Sequence, residues 1–170
     1  TNEIAIAPSA PHTLFAAVAT LDAGKLYRSD DAGASWTLAT TDERPGARIG
    51  GGDLPVLRID PKDPDVVYAT STVCWKSTDG GKTWEGWRGA PGGDDYQNVW
   101  INPNDSKIIL LASDQGAIVT ENGGETWSSW HTQSTAQLDH VTAAKATPSP
   151  LSCVQPATPH AGTPRRGREG

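Results

Sequence analysis

An eight-residue phrase occurs three times in this 170-residue chain: Ser29-Asp30-Asp31-Ala32-Gly33-Ala34-Ser35-Trp36, Ser77-Thr78-Asp79-Gly80-Gly81-Lys82-Thr83-Trp84 and Thr120-Glu121-Asn122-Gly123-Gly124-Glu125-Thr126-Trp127. Each copy reads Ser/Thr-x-Asp/Asn-x-Gly-x-Ser/Thr-Trp. At ordinary residue frequencies one such octet arises roughly once in 10^5 start positions, so three of them define a repeat. The repeat constrains the architecture before any other property does.

A second motif keeps phase with the first. Ile6-Ala7-Pro8-Ser9-Ala10-Pro11, with Leu14-Phe15-Ala16 after it, recurs as Ile59-Asp60-Pro61-Lys62-Asp63-Pro64 with Val67-Tyr68-Ala69. It returns as Ile101-Asn102-Pro103-Asn104-Asp105-Ser106 with Ile109-Leu110-Leu111. Octets start 48 and then 43 residues apart, and each lies 21, 16 or 17 residues after its turn proline. A unit of about 45 residues is the length of a four-stranded propeller blade.

Within the second unit, the β-branched and aromatic runs at 56–59, 66–70, 73–77 and 83–87 predict four short strands bounded by Pro, Gly, Asp or Asn. The Pro-x-x-Pro segments predict turns, since proline fixes φ and drives its predecessor out of the helical region. No stretch keeps a 3.6-residue apolar period, so helix should be nearly absent. The octet itself predicts a hairpin turn. Its Asp or Asn oxygen can accept backbone N–H groups, and Gly33, Gly81 and Gly124 supply a positive-φ position. The terminal tryptophan should then drop into the core, where truncation costs about 3–5 kcal/mol. The fold class expected is all-β: a partial β-propeller of about three four-stranded antiparallel blades at 1–40, 54–88 and 97–131, with a next blade starting at 135–142. Three blades fall short of the roughly 4–8 that close a ring, so the chain reads as a piece of a longer one whose remaining blades are its partners.

Beyond the repeats the sequence changes character. From Ala146 it is Pro-, Thr-, Ala- and Arg-rich, and three arginines against Glu169 give it a net +2. Such composition cannot bury enough apolar surface to order itself, so residues 146–170 are expected to be disordered. The body holds 11 basic and 19 acidic residues, which speaks against a nucleic-acid partner. No apolar run is long enough to span a membrane as a helix. Four scattered histidines lack metal-ligand spacing, and neither a metal nor an organic cofactor is implied. Cys74, in a strand, reads as a small buried hydrophobe, and Cys153 as a stray thiol.

The octets resemble the Asp-boxes, or BNR repeats, of sialidases, xyloglucanase-type glycoside hydrolases and sortilin-type receptors. In this chain the resemblance assigns the structural Asp-box positions to Ser29, Asp31, Gly33 and Trp36, to Ser77, Asp79, Gly81 and Trp84, and to Thr120, Asn122, Gly124 and Trp127. The stretch from Asp60-Pro61-Lys62-Asp63-Pro64 to Trp75-Lys76-Ser77-Thr78-Asp79-Gly80-Gly81-Lys82-Thr83 is similar to large bacterial sortilin-like BNR-repeat proteins, often labelled glycosyl hydrolases. So are Val99-Trp100-Ile101-Asn102-Pro103-Asn104-Asp105 and Gln133-Ser134-Thr135-Ala136-Gln137, with Ser134 standing where the pattern has proline and Asn122 where it has Asp. The resemblance covers residues 1–141 and implies an extracellular or periplasmic parent protein.

It also implies which end of the fold works. Asp-boxes lie opposite the functional face, which is built by the loops joining strand two to three and strand four to the next strand one. In this chain those loops are 44–53, 92–97, 113–115 and 131–140, with Asp22 at the edge. They offer Arg44, Arg48, Tyr96, Gln97, His131 and Gln137 as candidate contacts for a protein, peptide or carbohydrate ligand. Asp53, Asp94, Asp95 and Asp114 are the carboxylates a glycoside hydrolase could draw on, with Asp139 on the same face. Hydrolysis needs two of them about 5–5.5 Å apart for retention or 6.5–9.5 Å for inversion. A sialidase would need arginines spread over several blades, whereas Arg44 and Arg48 share one loop. The structural alternatives are plain: Asp94-Asp95 as a solvated turn, Trp87 and Trp130 as packing between blades, and Trp75 and Trp100 as core. The expectation is a sortilin-like binding or scaffold module, with a xyloglucanase-like glycoside hydrolase as the alternative.

Overall fold

The β-prone runs and the turn signals translate directly into sheets. The structure, a computed structural model, describes residues 2–19, 24–47, 54–132, 140–143 and 151–154, in two separate units, Thr1–His131 and Thr132–Gly170. In the first unit, strands β1 (Asn2–Ile6), β2 (Leu14–Ala19), β3 (Gly24–Ser29) and β4 (Thr37–Leu38) form one antiparallel meander. Strands β5 (Val56–Ile59), β6 (Val67–Thr70), β7 (Cys74–Ser77) and β8 (Glu85–Arg88) form a second, within a residue or two of the expected limits. Strands β9 (Tyr96–Ile101), β10 (Ile109–Ser113) and β11 (Gly116–Thr120) form a third. The only helical pieces described are 3-10 turns at Arg44–Gly46 and Trp130–Thr132.

The third sheet departs from the four-strand expectation. After its octet the chain still bonds to β11, Ser128 N donating to Val119 O at 2.9 Å. The Val119 N–H goes instead to the Ser128 hydroxyl, also at 2.9 Å. A serine side chain thus takes the donor that a fourth strand's carbonyl would have accepted.

The second unit contains β12 (His140–Ala143) and β13 (Leu151–Val154), paired antiparallel with His140 opposite Val154 and Ala143 opposite Leu151. This corrects the expectation of an unstructured tail over 151–154: Leu151-Ser152-Cys153-Val154 is a short β-prone run, and Val141-Thr142 is a β-branched one to pair with it. The remainder of 144–170 and the expected blade start at 135–139 lie outside the described residues.

Strand alternation gives each sheet two apolar faces. One core lies between the first and second sheets and joins Phe15, Ala17 and Leu26 to Leu57, Ile59, Val67 and Trp84. A second joins Tyr68 and Cys74 of the second sheet to Val99, Ile101, Ile109, Leu111 and Ile118 of the third. Burial within it pushes the Cys74 thiol well above its ordinary pKa. The first strands stand side by side, β1 beside β5 and β5 beside β9. This places the sheets as face-packed neighbours, repeated in chain order.

All three octets are the same hydrogen-bonded corner. The Gly33, Gly81 and Gly124 amides each donate 2.9 Å to the hydroxyl of Ser29, Ser77 and Thr120. The Ser35, Thr83 and Thr126 amides donate to the side-chain oxygen of Asp31, Asp79 and Asn122 at 2.8–2.9 Å. The Ser35 and Thr83 hydroxyls donate to those carboxylates at 2.6 Å, whereas in the third octet Asn122 Nδ2 donates to Thr126 Oγ1 at 2.9 Å. The polarity of one bond reverses and the corner survives. Each tryptophan Nε1 then donates to the carbonyl of Gly33, Gly81 or Gly124 at 2.8–3.1 Å. The octet is also tied to the turn of its own blade, through Ala32 N to His12 O, Gly80 N to Asp65 O and Gly123 N to Lys107 O. Trp84 is buried and Trp127 half-buried, but Trp36 is exposed, which corrects the expectation that every octet tryptophan reaches a core. The reason is positional, because octet tryptophans point toward the preceding sheet and the described residues place none before β1.

Three predictions follow from the corner. Trp84→Ala should lower the unfolding free energy by about 3–5 kcal/mol in urea titration. Ala32 holds φ 58° where the other octets have Gly80 and Gly123, so Ala32→Gly should raise it by about 0.5–1 kcal/mol. Hydroxyl and amide donors of Ser35 and Thr83 hold the Asp31 and Asp79 carboxyls down at about 2, against an ordinary 3.8. Both carboxylates therefore add stability above about pH 4 that is lost as pH falls through about 2. The double variant Asp31→Asn/Asp79→Asn should flatten that limb of the stability–pH curve, followed by tryptophan fluorescence, while keeping the fold at neutral pH as Asn122 does.

Candidate functional site

Because the octets and the proline turns are bonded together, they share one end of the sheets, and the loops 42–46, 71–73, 89–95 and 113–115 share the other. Two side-chain arrangements stand out at that second end.

The first is built on the connection from β4 to β5. Asp42 Oδ1 accepts the Arg44 amide at 3.0 Å, setting an Asx turn before the 3-10 turn. The same carboxylate holds the Arg44 guanidinium through Nε at 2.9 Å and Nη2 at 2.7 Å. So held, the guanidinium lies 4.8 Å over the Trp75 ring. Gly46 and Gly24 bring their backbones together beneath: a Cβ on Gly24 would stand 2.0 Å from the Gly46 carbonyl oxygen. Trp75, expected in the core, packs against the first core and is half-buried, with Arg44 over its ring. A concavity of about 190 Å³ opens beside Asp42, lined by Lys25, Thr40, Thr41 and Glu43 among others. Asp42 was not among the sequence candidates; an Asp two residues before an Arg at a loop start was the available signal.

The second arrangement is the 89–95 loop. Gly92 O accepts the Tyr96 hydroxyl at 2.9 Å and Arg88 Nε at 3.1 Å. Tyr96 N–H donates 2.9 Å to Ser71 O of the neighbouring sheet. Gly93 has φ +117° and passes so close to Tyr96 and Trp130 that a Cβ would sit 2.8 and 2.9 Å from their atoms. Asp94 N–H donates 3.1 Å to Gln115 Oε1, and Gln115 Nε2 donates back to the Asp94 carboxylate. Ser113 Oγ donates 2.9 Å to the same Gln115 oxygen. A depression of about 180 Å³ there is lined by Ala90, Pro91, Gly93, Asp94 and Gln115.

The remaining candidates sort as follows. Gln97, Asp114 and His131 are exposed, and Asp95 is half-buried with φ 45°, a left-handed conformation that Asp tolerates. Tyr96 is fully buried, and desolvation pushes its hydroxyl up to about 12. It is a core residue bracing the loop, which corrects its reading as a ligand contact. Arg48, Asp53 and Gln137, with Asp22 and Asp139, lie outside the described residues. Trp87 packs between sheets as expected, 5.0 Å from Tyr68 and 5.1 Å from Trp127, and Trp130 packs against the same core. Trp100 is exposed rather than core. Its side of β9 faces away from the second sheet, and no described strand covers it.

At the octet end a hollow of about 500 Å³ lies between the first and second sheets. Its central charge is already engaged: Arg28 bonds Asp30 at 2.9 Å and Asp65 of the next sheet at 2.8 Å while lying 5.4 Å over Phe15. The group clamps two sheets together.

No protein-family model matches the chain, and no curated protein matches it. Solved structures do. A GH74 xyloglucanase from Xanthomonas campestris superposes with TM-score 0.64 at 19% identity over 89% of this chain and 26% of that one. The GH74 enzyme of Niastella koreensis gives 0.60 at 18% identity, over 96% and 27%. YCF48 from Cyanidioschyzon merolae gives 0.54 at 17% identity, over 95% and 56%, and YCF48 bound to a D1 peptide gives 0.56 at 12%. The chain thus spans about a quarter of the GH74 enzymes and about half of YCF48. With three face-packed antiparallel sheets and almost no helix, the fold is that of a partial β-propeller.

The Asp94–Gln115 pair yields a direct expectation. Gln115→Ala should abolish hydrogen-exchange protection at the Asp94 amide while changing global stability by less than about 0.5 kcal/mol, since both groups are exposed.

Proposed function

We propose that this partial propeller is a binding module of the sortilin-like, BNR-repeat kind, taking a protein, peptide or glycan ligand on the loop end opposite its octets. The observation that carries the reading is a pair of pre-set polar side chains at that end, Arg44 and Asp94, beside described hollows of about 190 and 180 Å³. Small hollows rimmed by pre-set polar groups suit recognition of a surface or an extended segment. Arg44, fixed by Asp42 and resting on Trp75, presents an ordered cation, and Asp94, fixed by Gln115, an ordered carboxylate. Pre-ordered side chains lose little entropy on binding. A propeller of similar fold, YCF48, carries a bound D1 peptide, which supports a peptide ligand for this architecture. The Asp-box resemblance supports an extracellular or periplasmic parent protein.

The second reading is glycoside hydrolysis, favoured by the fold shared with GH74 enzymes and by exposed Asp94 and Asp114 on one loop end. Peptide and glycan arrays followed by chromogenic glycosides separate the two. The binding reading expects capture without turnover, weakened at least tenfold in Arg44→Ala. Turnover that disappears in Asp94→Ala or Asp114→Ala would replace it with the hydrolase.

A further inference from the structure

The third octet holds as an amide what the second holds as an acid: Asn122-Gly123-Gly124 stands where the second has Asp79-Gly80-Gly81. The two corners otherwise coincide. Gly123 and Gly80 both have φ 73°, and their amides donate 2.9 Å to Lys107 O and Asp65 O of their own proline turns. Asn122 Oδ1 accepts the Thr126 amide at 2.9 Å, as Asp79 Oδ1 accepts that of Thr83. A carboxylate at position 122 would therefore meet a corner already built for one. The Thr126 hydroxyl, which now accepts from Asn122 Nδ2, need only turn its proton to donate as Thr83 does.

Asparagine before glycine is the dipeptide most open to loss of its side-chain amide, because no Cβ on the second residue shields the attacking backbone nitrogen. Asn122 alone among the asparagines of this chain precedes a glycine. Asn2, Asn98 and Asn104 precede Glu3, Val99 and Asp105, and Asn102 precedes Pro103, which has no N–H to lose. In the step, Gly123 N gives up its proton and bonds Asn122 Cγ, the Cγ–Nδ2 bond breaks, and ammonia leaves with that proton. Water then opens the cyclic imide. Attack at Cγ gives aspartate, and attack at the backbone carbonyl carbon gives isoaspartate, with one more methylene in the main chain.

The closed corner opposes both partners in that step. The Gly123 N–H is committed to Lys107 O, and the Asn122 amide is held at both ends, by Thr120 Oγ1 and the Thr126 amide at Oδ1 and by Thr126 Oγ1 at Nδ2. Yet this corner has less around it than the others. The first two octets run into β4 and β8, whereas residues 127–129 lie in no strand, and Thr126 is exposed. We propose that Asn122 is a modification site, which deamidates to aspartate through openings of the third octet, and that the corner closes again on the aspartate. Because ammonia is lost, the conversion runs one way in water. Each event leaves one more negative charge at the octet end, a cumulative record of how often that corner has opened.

Peptide mass spectrometry of the full chain, held at mildly alkaline pH in buffer and in unfolding urea, tests this. The expected result is conversion at Asn122 ahead of the other four asparagines. It should run at least about tenfold slower in buffer than in urea, by the factor that hydrogen exchange at the Gly123 amide reports for local opening. Thr126→Val, which removes the partner of Asn122 Nδ2, should speed conversion in buffer about threefold or more and leave the urea rate unchanged. Asn122→Asp stands in for the product. It should match the parent's circular dichroism and urea midpoint at neutral pH, and should add to the stability that the Asp31 and Asp79 carboxylates lose in acid. Equal rates in buffer and urea, a faster asparagine elsewhere, or a Thr126→Val rate unchanged in buffer would each overturn the proposal. So would a folded chain still unconverted when the urea sample is complete. A lower neutral-pH urea midpoint in Asn122→Asp would overturn it as well, since the corner would then reject its own product.

Discussion

An indole N–H donated to a glycine carbonyl three residues earlier sets the direction in which this molecule packs. That bond turns the octet tryptophan back over its own corner and aims the ring at the preceding sheet. The glycine that accepts it is also the point of closest approach by that sheet's side chains, Phe15 at Gly81 and Trp87 at Gly124. Hairpin closure and sheet stacking are therefore one event. A larger residue at either glycine would obstruct the turn through its positive φ and the stacking through its Cβ. The seating of Trp84 among Leu57, Ile59 and Phe15, and of Trp127 against Trp87, follows from that single corner.

Because the corner is local, it was readable. Eight residues contain every donor and acceptor of the turn, so spacing alone located β3–β4, β7–β8 and the end of β11, and the phased proline turns supplied β1–β2, β5–β6 and β9–β10. Strand limits in the second sheet came out within a residue or two for the same reason. The misreadings concern partners rather than local shape. Trp36 and Trp100 carry the signature of core residues, and their exposure depends on what lies beyond the first and third sheets. Tyr96 sits in a loop-like stretch, yet the neighbouring sheet's Ser71 and its own Gly92 draw it inside. In the third sheet one serine hydroxyl takes the Val119 amide where a fourth strand's carbonyl was expected, a competition no strand propensity encodes.

The loop end was legible in outline only. Its position followed from topology, and Arg44, Asp94, Asp95, Asp114 and His131 do lie on the loops expected. What spacing could not show is that Asp42 and Gln115 immobilise two of them, or that Trp75 is the platform beneath Arg44. Those pairings join residues from different strands and different loops. Their chemistry is nevertheless what distinguishes this end from the octet end, where Arg28 spends its charge holding sheets together.

Each sheet carries one receiving side, with its octet glycine and tryptophan, and one inserting side, with Phe15 or Tyr68 and their neighbours. Stability in such an array is a sum over adjacent pairs. Removal of the middle sheet would bring the Phe15 side against the Gly124 seat, two surfaces already matched in kind. Gene-level duplication or loss of whole units could then change the length of such a chain without requiring a new interface, which makes the sheet an exchangeable cassette.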